Sequence, residues 1–225
     1  MIGADLNDTK FLNDGDWKTW RFRLIGFLPL LLFLYRLAQY FDEGTPDWIM
    51  ANCNVTLVML SLGMLACWRM PIRVATIWLT IGVPMWLIDA WVMQVLWIAS
   101  VLSHVGGWLL GLFALRAVRV TGRSWLPAAG WFFAWQVVTR LTTDPSFNVN
   151  IAHTPYEFTK EWFASYWQFW PVCALVVILL TWLVERGLAR RYPVDSQVQR
   201  VPYPADPSKS QLAAIDDQCM TGDIA

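Results

Sequence analysis

The sequence predicts an all-α, polytopic membrane protein: a bundle of six transmembrane helices with both termini in the cytoplasm. Its composition is the first observation. The 225 residues include 16 Trp, 56% are hydrophobic, and the mean hydropathy is +0.40. A soluble domain of this size needs less apolar surface for one core. The formal net charge is zero, so charge indicates no particular partner, and we expect no nucleic acid.

Six apolar stretches are the second observation. A span needs about 20 mostly apolar residues, because the hydrocarbon layer is roughly 30 Å thick and a helix rises about 1.5 Å per residue. Since lipid cannot satisfy backbone polar groups, such stretches must form helices. The predicted spans are residues 24–40, 48–68, 74–91, 96–115, 126–141 and 167–184.

The third observation is that basic residues gather at alternate ends of these spans. They precede the first span, join the second to the third and the fourth to the fifth, and follow the sixth. They are Lys18, Arg21, Arg23, Arg69, Arg73, Arg116, Arg119, Arg123, Arg186, Arg190 and Arg191. By the positive-inside rule these ends face the cytoplasm. The prediction is a cytoplasmic segment at 1–23, a transmembrane domain at 24–191 and a polar cytoplasmic tail at 192–225, in a cell membrane and specifically a bacterial inner membrane.

Polar residues mark the start of the second predicted span. Asn52, Cys53, Asn54 and Thr56 enter the membrane from the outer side, and polar groups in a span are costly unless they face the protein interior. The plainest interpretation is hydrogen bonding between helices. The four cysteines include no CxxC pair, and no closely spaced histidines accompany them, so we expect no metal site and no cofactor.

The fourth predicted span offers a matching face. Ser100, His104, Gly107 and Gly111 recur at helical spacing, and the two glycines form a GxxxG pattern that lets another helix approach closely. His104 is the one histidine inside a predicted span. It is either a packing histidine bonded to a neighbouring helix or, as an ionisable group in the membrane, a functional candidate.

Further polar residues converge on the same outer level. Each has an ordinary interpretation, since an arginine can extend to the headgroups and a loop histidine needs no special role. Their coincidence at one depth instead predicts an outward-opening polar pocket in contact with lipid. They are Arg36, Asp89, Arg140, Asn148, Asn150 and His153.

These motifs resemble those of the YwaF-like integral membrane proteins. The shared features are the polar, Cys-containing start of the second span, the Ser103-His104 pair and the Asn148-Val149-Asn150 element. That family is similar to a eukaryotic transmembrane acyltransferase that remodels ether phospholipids. The resemblance implies six helices and catalysis by Cys53 and His104. More distant six-helix lipid hydrolases use a Thr and a His, which makes Thr56 a second candidate nucleophile.

The residues support a coherent chemistry for a lipid acyltransferase or a lipid ester hydrolase. A thiol becomes a reactive thiolate when a neighbouring base takes its proton, and His104 would be that base. Amides of Asn52, Asn54 or Asn150 would donate to the oxyanion. Arg36 or Arg140 would bind a lipid phosphate, because a guanidinium fork matches phosphate geometry.

Two alternatives stay open. The first is a non-catalytic membrane subunit, or a protein that binds lipid, pigment or quinone, with a Trp-rich surface that packs against partner helices. The second is a small transporter, which the absence of a broken helix pair in the sequence pattern disfavours. Catalysis requires Cys53 or Thr56 within hydrogen-bond reach of His104, so this distance separates the enzyme from the others.

Overall fold

The computed structural model describes residues 20–94, 97–120 and 122–193, without the side chains of Met93, Glu157 and Phe158. Most of the predicted N-terminal segment and the tail from residue 194 onward lie outside these residues. The described chain is helical and contains no β-strand beyond one isolated bridge between Val120 and Pro193. The prediction of an all-α fold is therefore confirmed for the described residues.

Helices occupy all six predicted stretches. The 3-10 turns Pro46–Met50, Pro145–Phe147, Val149–Ile151 and Glu157–Trp162 lie in two of the connections. The helices are α1 (Trp20–Ile25), α2 (Phe27–Asp42), α3 (Asn52–Ala66), α4 (Arg69–Met93), α5 (Ile98–Val101), a π-helical segment (Leu102–Gly106), α6 (Gly107–Val118), α7 (Trp125–Thr142) and α8 (Tyr166–Arg191).

Four described helices are long and apolar enough to cross a membrane. They are Trp20–Asp42, Arg69–Val92, Ile98–Val118 and Tyr166–Arg191. The chain therefore has the helices of an integral membrane protein. The 15 residues of α3 reach only about 22 Å, and α7 is not among the four, so the count of six spans stays a prediction.

The second predicted span begins four residues later than expected. Residues up to Met50 form a 3-10 turn, Ala51 is extended with ψ of 137°, and α3 begins at Asn52. The Asn54 side-chain amide donates to the Trp48 carbonyl oxygen over 2.9 Å, which closes the turn back onto the helix. Cys53 is therefore the second residue of α3 and not a mid-helix residue.

Helix α4 lies at the centre of the bundle and contacts α3, α6, α7 and α8. Every residue from 72 to 79 is buried, as expected for a helix surrounded by others. The Trp78 indole donates to the Ala128 carbonyl oxygen over 2.8 Å and stacks on Phe132 at 4.9 Å. These contacts hold α7 against α4.

The two glycines of the GxxxG pattern contact two different helices. A Cβ at Gly107 would clash with Leu57 of α3, so the close helix approach that the pattern predicts occurs there, between the fourth and the second stretch. Gly111 faces α4 instead, where an added Cβ would lie 2.8 Å from Thr76 Oγ1. Positions four residues apart are displaced by about 40° around a helix, which lets the same stripe meet α3 at one level and α4 at the next.

Candidate functional site

A cavity of about 400 Å³ lies between α2, the Pro46–Met50 turn, α4 and α5. We call it the α2–α4 cavity. It stands at the end of the bundle where α2 ends and α3 begins, which is the end that the sequence analysis expects to face outward. Its walls combine charged and aromatic side chains, including Arg36, Tyr40, Glu43, Trp86, Asp89 and Trp97.

Arg36 is the most unusual side chain of the cavity, because it is a cation that is only 6% exposed. Its Nη1 donates to Gln39 Oε1 over 2.6 Å, its Nη2 donates to the Tyr40 hydroxyl, and the guanidinium lies 4.4 Å from the Tyr40 ring centroid. Its Nε has no partner, and no ion pair with a carboxylate is found among the described residues. Neutral acceptors satisfy two donors but leave a buried charge unneutralised, which is costly.

Two carboxylates stand at the rim of the same cavity, and both are exposed. Glu43 Oε1 accepts from Gln39 Nε2 over 2.6 Å, so a chain of hydrogen bonds runs from Arg36 through Gln39 to Glu43. Asp89 Oδ1 accepts from the Tyr156 hydroxyl over 2.7 Å. Burial and the Asp89 carboxylate raise the pKa of Tyr156, which keeps that hydroxyl protonated as a donor.

His104 lies on the π-helical segment, and such segments often occur at functional sites. Its Nδ1 lies 2.9 Å from the Ser100 carbonyl oxygen and 3.4 Å from Ser103 Oγ. The ring stacks on Trp86 with centroids 5.1 Å apart and planes 11° apart. Because Ser100 and Trp86 both line the α2–α4 cavity, His104 stands directly behind its wall.

Cys53 is partly exposed and points toward α4, where a Cβ at Gly82 would lie 3.9 Å from its own. Gly82, which lies beside Cys53, and Trp86, which stacks on His104, are one turn apart on α4, so Cys53 and His104 border the same region. No hydrogen bond joins Cys53 to His104 in the described part of the chain. The contact that acyl transfer requires is absent from this conformation.

Thr56 is fully buried, and its hydroxyl donates to the Asn52 carbonyl oxygen within α3. Among the described residues, no side chain that could act as a base contacts this hydroxyl. Its position is that of a threonine bonded back to the preceding helical turn. The structure therefore shows no contact that would activate Thr56 as a nucleophile.

Asn52 and Asn150 join α3 to the long loop. Asn150 Oδ1 accepts from the Asn52 backbone N–H over 2.7 Å, and its Nδ2 donates to the Met50 carbonyl oxygen over 3.0 Å. Asn52 Oδ1 accepts from the Trp131 indole over 3.0 Å. Asn150 adopts a φ of +56°, which asparagine tolerates better than most residues. These amides fasten the loop across the start of α3.

The remaining predicted residues hold the same loop together. Asn148 Oδ1 accepts from the backbone N–H groups of His153 and Thr154 at 3.0 and 2.9 Å. Arg140 donates to the Ala152 carbonyl oxygen and lies 4.9 Å from the Tyr166 ring centroid. Burial and the nearby Arg140 charge lower the pKa of His153. This group forms a second polar cluster, separate from the cavity walls.

The predicted site residues thus divide into two sets. Arg36 and Asp89 line the α2–α4 cavity with Cys53, Asn54 and His104 beside it, whereas Arg140, Thr56 and the other Asn and His residues lie in the structural network. Sequence reasoning missed Tyr40, Glu43, Trp86 and Trp97. The spacing of Arg36, Tyr40 and Glu43 at i, i+4 and i+7 could have revealed the first two, since it places them on one helix face.

The resemblance to YwaF-like proteins, and the roles it implies, stay predictions. The chain matches no family model, no curated protein and no solved structure.

Proposed function

We propose that this chain is a six-span membrane protein, with both termini cytoplasmic, that binds the phosphate of an amphiphilic lipid in the α2–α4 cavity. The topology is supported by the alternation of basic residues, since exposed arginines such as Arg21, Arg69, Arg116 and Arg186 all lie at one set of helix ends. Helices α3 and α7 complete the alternation between the four longer helices.

Arg36 is the observation that carries the proposal. Its guanidinium is buried on the cavity wall without a carboxylate partner among the described residues, and one donor is unsatisfied. A planar guanidinium presents donors in a fork that matches phosphate oxygens. A bound phosphate would neutralise the charge and accept from the free donor.

A neighbouring cavity supports a lipid over a soluble phosphate. Its volume is about 550 Å³, and it shares Gln39, Glu43 and Trp97 with the α2–α4 cavity. Its other walls are Tyr35, Asp42, Ile98 and Ala99, of which Ile98 is 74% exposed. Apolar side chains exposed on candidate membrane spans face acyl chains, so a headgroup in the first cavity leaves a path for its tails along α2 and α5.

The test compares binding of a phospholipid with binding of a diacylglycerol that carries the same acyl chains but no phosphate. Both would be titrated into purified protein in detergent, with native mass spectrometry and thermal stabilisation as readouts. We expect the wild type to prefer the phospholipid about tenfold, which corresponds to one charge-assisted interaction. Arg36→Gln should remove that preference, and Arg116→Gln at the opposite end should retain it.

The thermal stability of the Arg36→Gln variant is a control for misfolding. Because the substitution removes an uncompensated buried charge, the unliganded variant should unfold at the wild-type temperature or above. An Arg36→Gln protein that is stable and still prefers the phospholipid would refute the proposal.

Acyl transfer is the second candidate, favoured by the shared surroundings of Cys53 and His104. In such a reaction His104 takes the Cys53 thiol proton, and the thiolate attacks the ester carbonyl carbon. The departing alcohol receives the proton from His104, and the resulting thioester is cleaved by water or an acceptor alcohol. Ligand binding would first have to bring the two side chains together.

Turnover of a phospholipid ester tests this candidate. Cys53→Ala and His104→Ala should each abolish it, the double variant should be no worse than either, and Cys53→Ser should be nearly as poor. Cys67→Ala, which changes another partly buried cysteine at the far end of α3, is the matched control. Retained turnover in Cys53→Ala would exclude the Cys53 thiol as the nucleophile, whereas no turnover by the wild type would leave lipid binding as the function.

A further inference from the structure

The walls of the α2–α4 cavity carry both signs of charge. Arg36 is the cation, and Glu43 and Asp89 are the anions. Each carboxylate uses one oxygen in a hydrogen bond to a neutral donor, from Gln39 or Tyr156. No described residue pairs with the second oxygen of either. A headgroup with only negative charge would satisfy Arg36 but would face two carboxylates, which is unfavourable.

Indole rings line the same cavity. Trp48, Trp86 and Trp97 contribute to its walls, and Trp48 and Trp97 are exposed. A tryptophan face attracts cations, and cages of aromatic rings are the common means by which proteins bind alkylammonium groups. The aromatic side chains and the two carboxylates therefore favour the same kind of ligand group.

The arrangement along α2 orders these groups by depth. Arg36 and Glu43 are seven residues apart on the chain, which is about two helical turns, and Glu43 is the residue nearer the end of the helix. The cationic side chain is thus the deeper one. A phospholipid has the same order, since its phosphate is attached to the glycerol and an alkylammonium group lies beyond the phosphate.

We infer that the lipid held here is zwitterionic, with its phosphate at Arg36 and a phosphate-linked alkylammonium group between Glu43, Asp89 and the indole of Trp97. This inference rests on the proposed function and deepens it by naming the headgroup class. Ethanolamine and choline headgroups share the required chemistry. The primary ammonium would donate hydrogen bonds to the carboxylates, whereas the quaternary ammonium would depend on the aromatic faces.

The experiment titrates purified protein with phosphatidylcholine, phosphatidylethanolamine and phosphatidylglycerol of identical acyl chains. We expect at least one zwitterionic lipid to bind about tenfold more tightly than the glycerol lipid, the size of one good cation contact. The double variant Glu43→Gln, Asp89→Asn should lose that preference. Both substitutions retain the oxygen that accepts from Gln39 or Tyr156, so the fold should be preserved.

Glu161→Gln is the matched control, because Glu161 is an exposed carboxylate in the long loop and does not line the cavity. Trp97→Leu distinguishes the two headgroups, because it should weaken choline binding more than ethanolamine binding. Equal binding of all three lipids by the wild type, or an unchanged preference in the double variant, overturns the inference. If Arg36→Gln still abolishes binding in that case, the proposed function stands. If no phospholipid binding depends on Arg36, both fail.

Discussion

Gly111 offers the sharpest test of the helix packing. A Cβ at this position would lie 2.8, 3.1 and 3.3 Å from Oγ1, Cγ2 and Cβ of Thr76. Thr76 is fully buried, and its hydroxyl donates to the Ile72 carbonyl oxygen over 2.7 Å. A β-branched side chain has few rotamers in a helix, so it cannot move aside. Gly111→Ala should therefore overpack the contact between α6 and α4.

The magnitude follows from comparison with Gly130→Ala. Gly130 is a helical glycine in α7, and no neighbouring side chain of the described residues lies within 4 Å of an added Cβ. Both substitutions gain about 0.5–1 kcal/mol from reduced backbone freedom, so their difference isolates the packing cost. Overpacking typically costs about 1–3 kcal/mol, and for a chain of this length 1 kcal/mol shifts the Tm by about 2–4 °C. Gly111→Ala should unfold about 2–12 °C below Gly130→Ala in detergent.

A rescue variant makes this argument refutable. Thr76→Ala removes the two closest atoms, and of the three nearest it leaves the Cβ at 3.3 Å, so in that background Gly111→Ala should recover at least half of the lost stability. The two residues would then show a coupling free energy of about 0.5–3 kcal/mol. Equal melting temperatures for Gly111→Ala and Gly130→Ala would mean that α6 does not pack on α4 at this level.

Three other predictions concern topology, the long loop and pH. A single cysteine at exposed Ser146 should react with an impermeant reagent from outside, and one at exposed Arg123 should not. Ser124 is buried and would be uninformative. Labelling at position 123 alone would show that the topology is the reverse of the proposed one. Asn150→Gly keeps the positive φ but loses two hydrogen bonds, so it should lower the free energy of unfolding by about 1–3 kcal/mol, and Asn150→Ala by about 1 kcal/mol more. Because the pKa of His153 is lowered from 6.5 in the fold, the unfolded chain binds its proton more readily and stability should fall as pH drops below that value; thermal unfolding at pH 7.5 and 5 should show a smaller decrease for His153→Gln, and identical decreases would contradict the assignment.

Local composition determined much of the architecture. Hydropathy over a window of about 20 residues depends only on neighbouring side chains, so it located helices in all six stretches, including the end of α4 at Met93 and the start of α8 at Tyr166 to within a few residues. Polar spacing also indicated that Arg36, Asp89, Cys53 and His104 belong to one end of the bundle. These are properties of the sequence that hold before any helix meets another.

Contacts between distant segments decided the rest. The Asn150 side chain binds the Asn52 backbone from 98 positions away. It stabilises the turn before α3, and because of this turn α3 begins later than hydropathy predicts. The same amide therefore belongs to the loop network and not to the cavity. Arg36 has neighbours of both signs in the sequence, yet only the packed bundle shows that no described carboxylate pairs with it. Whether a side chain is apolar depends only on the residue at that position, whereas its hydrogen-bond partner and its counter-ion depend on where every other helix places its side chains.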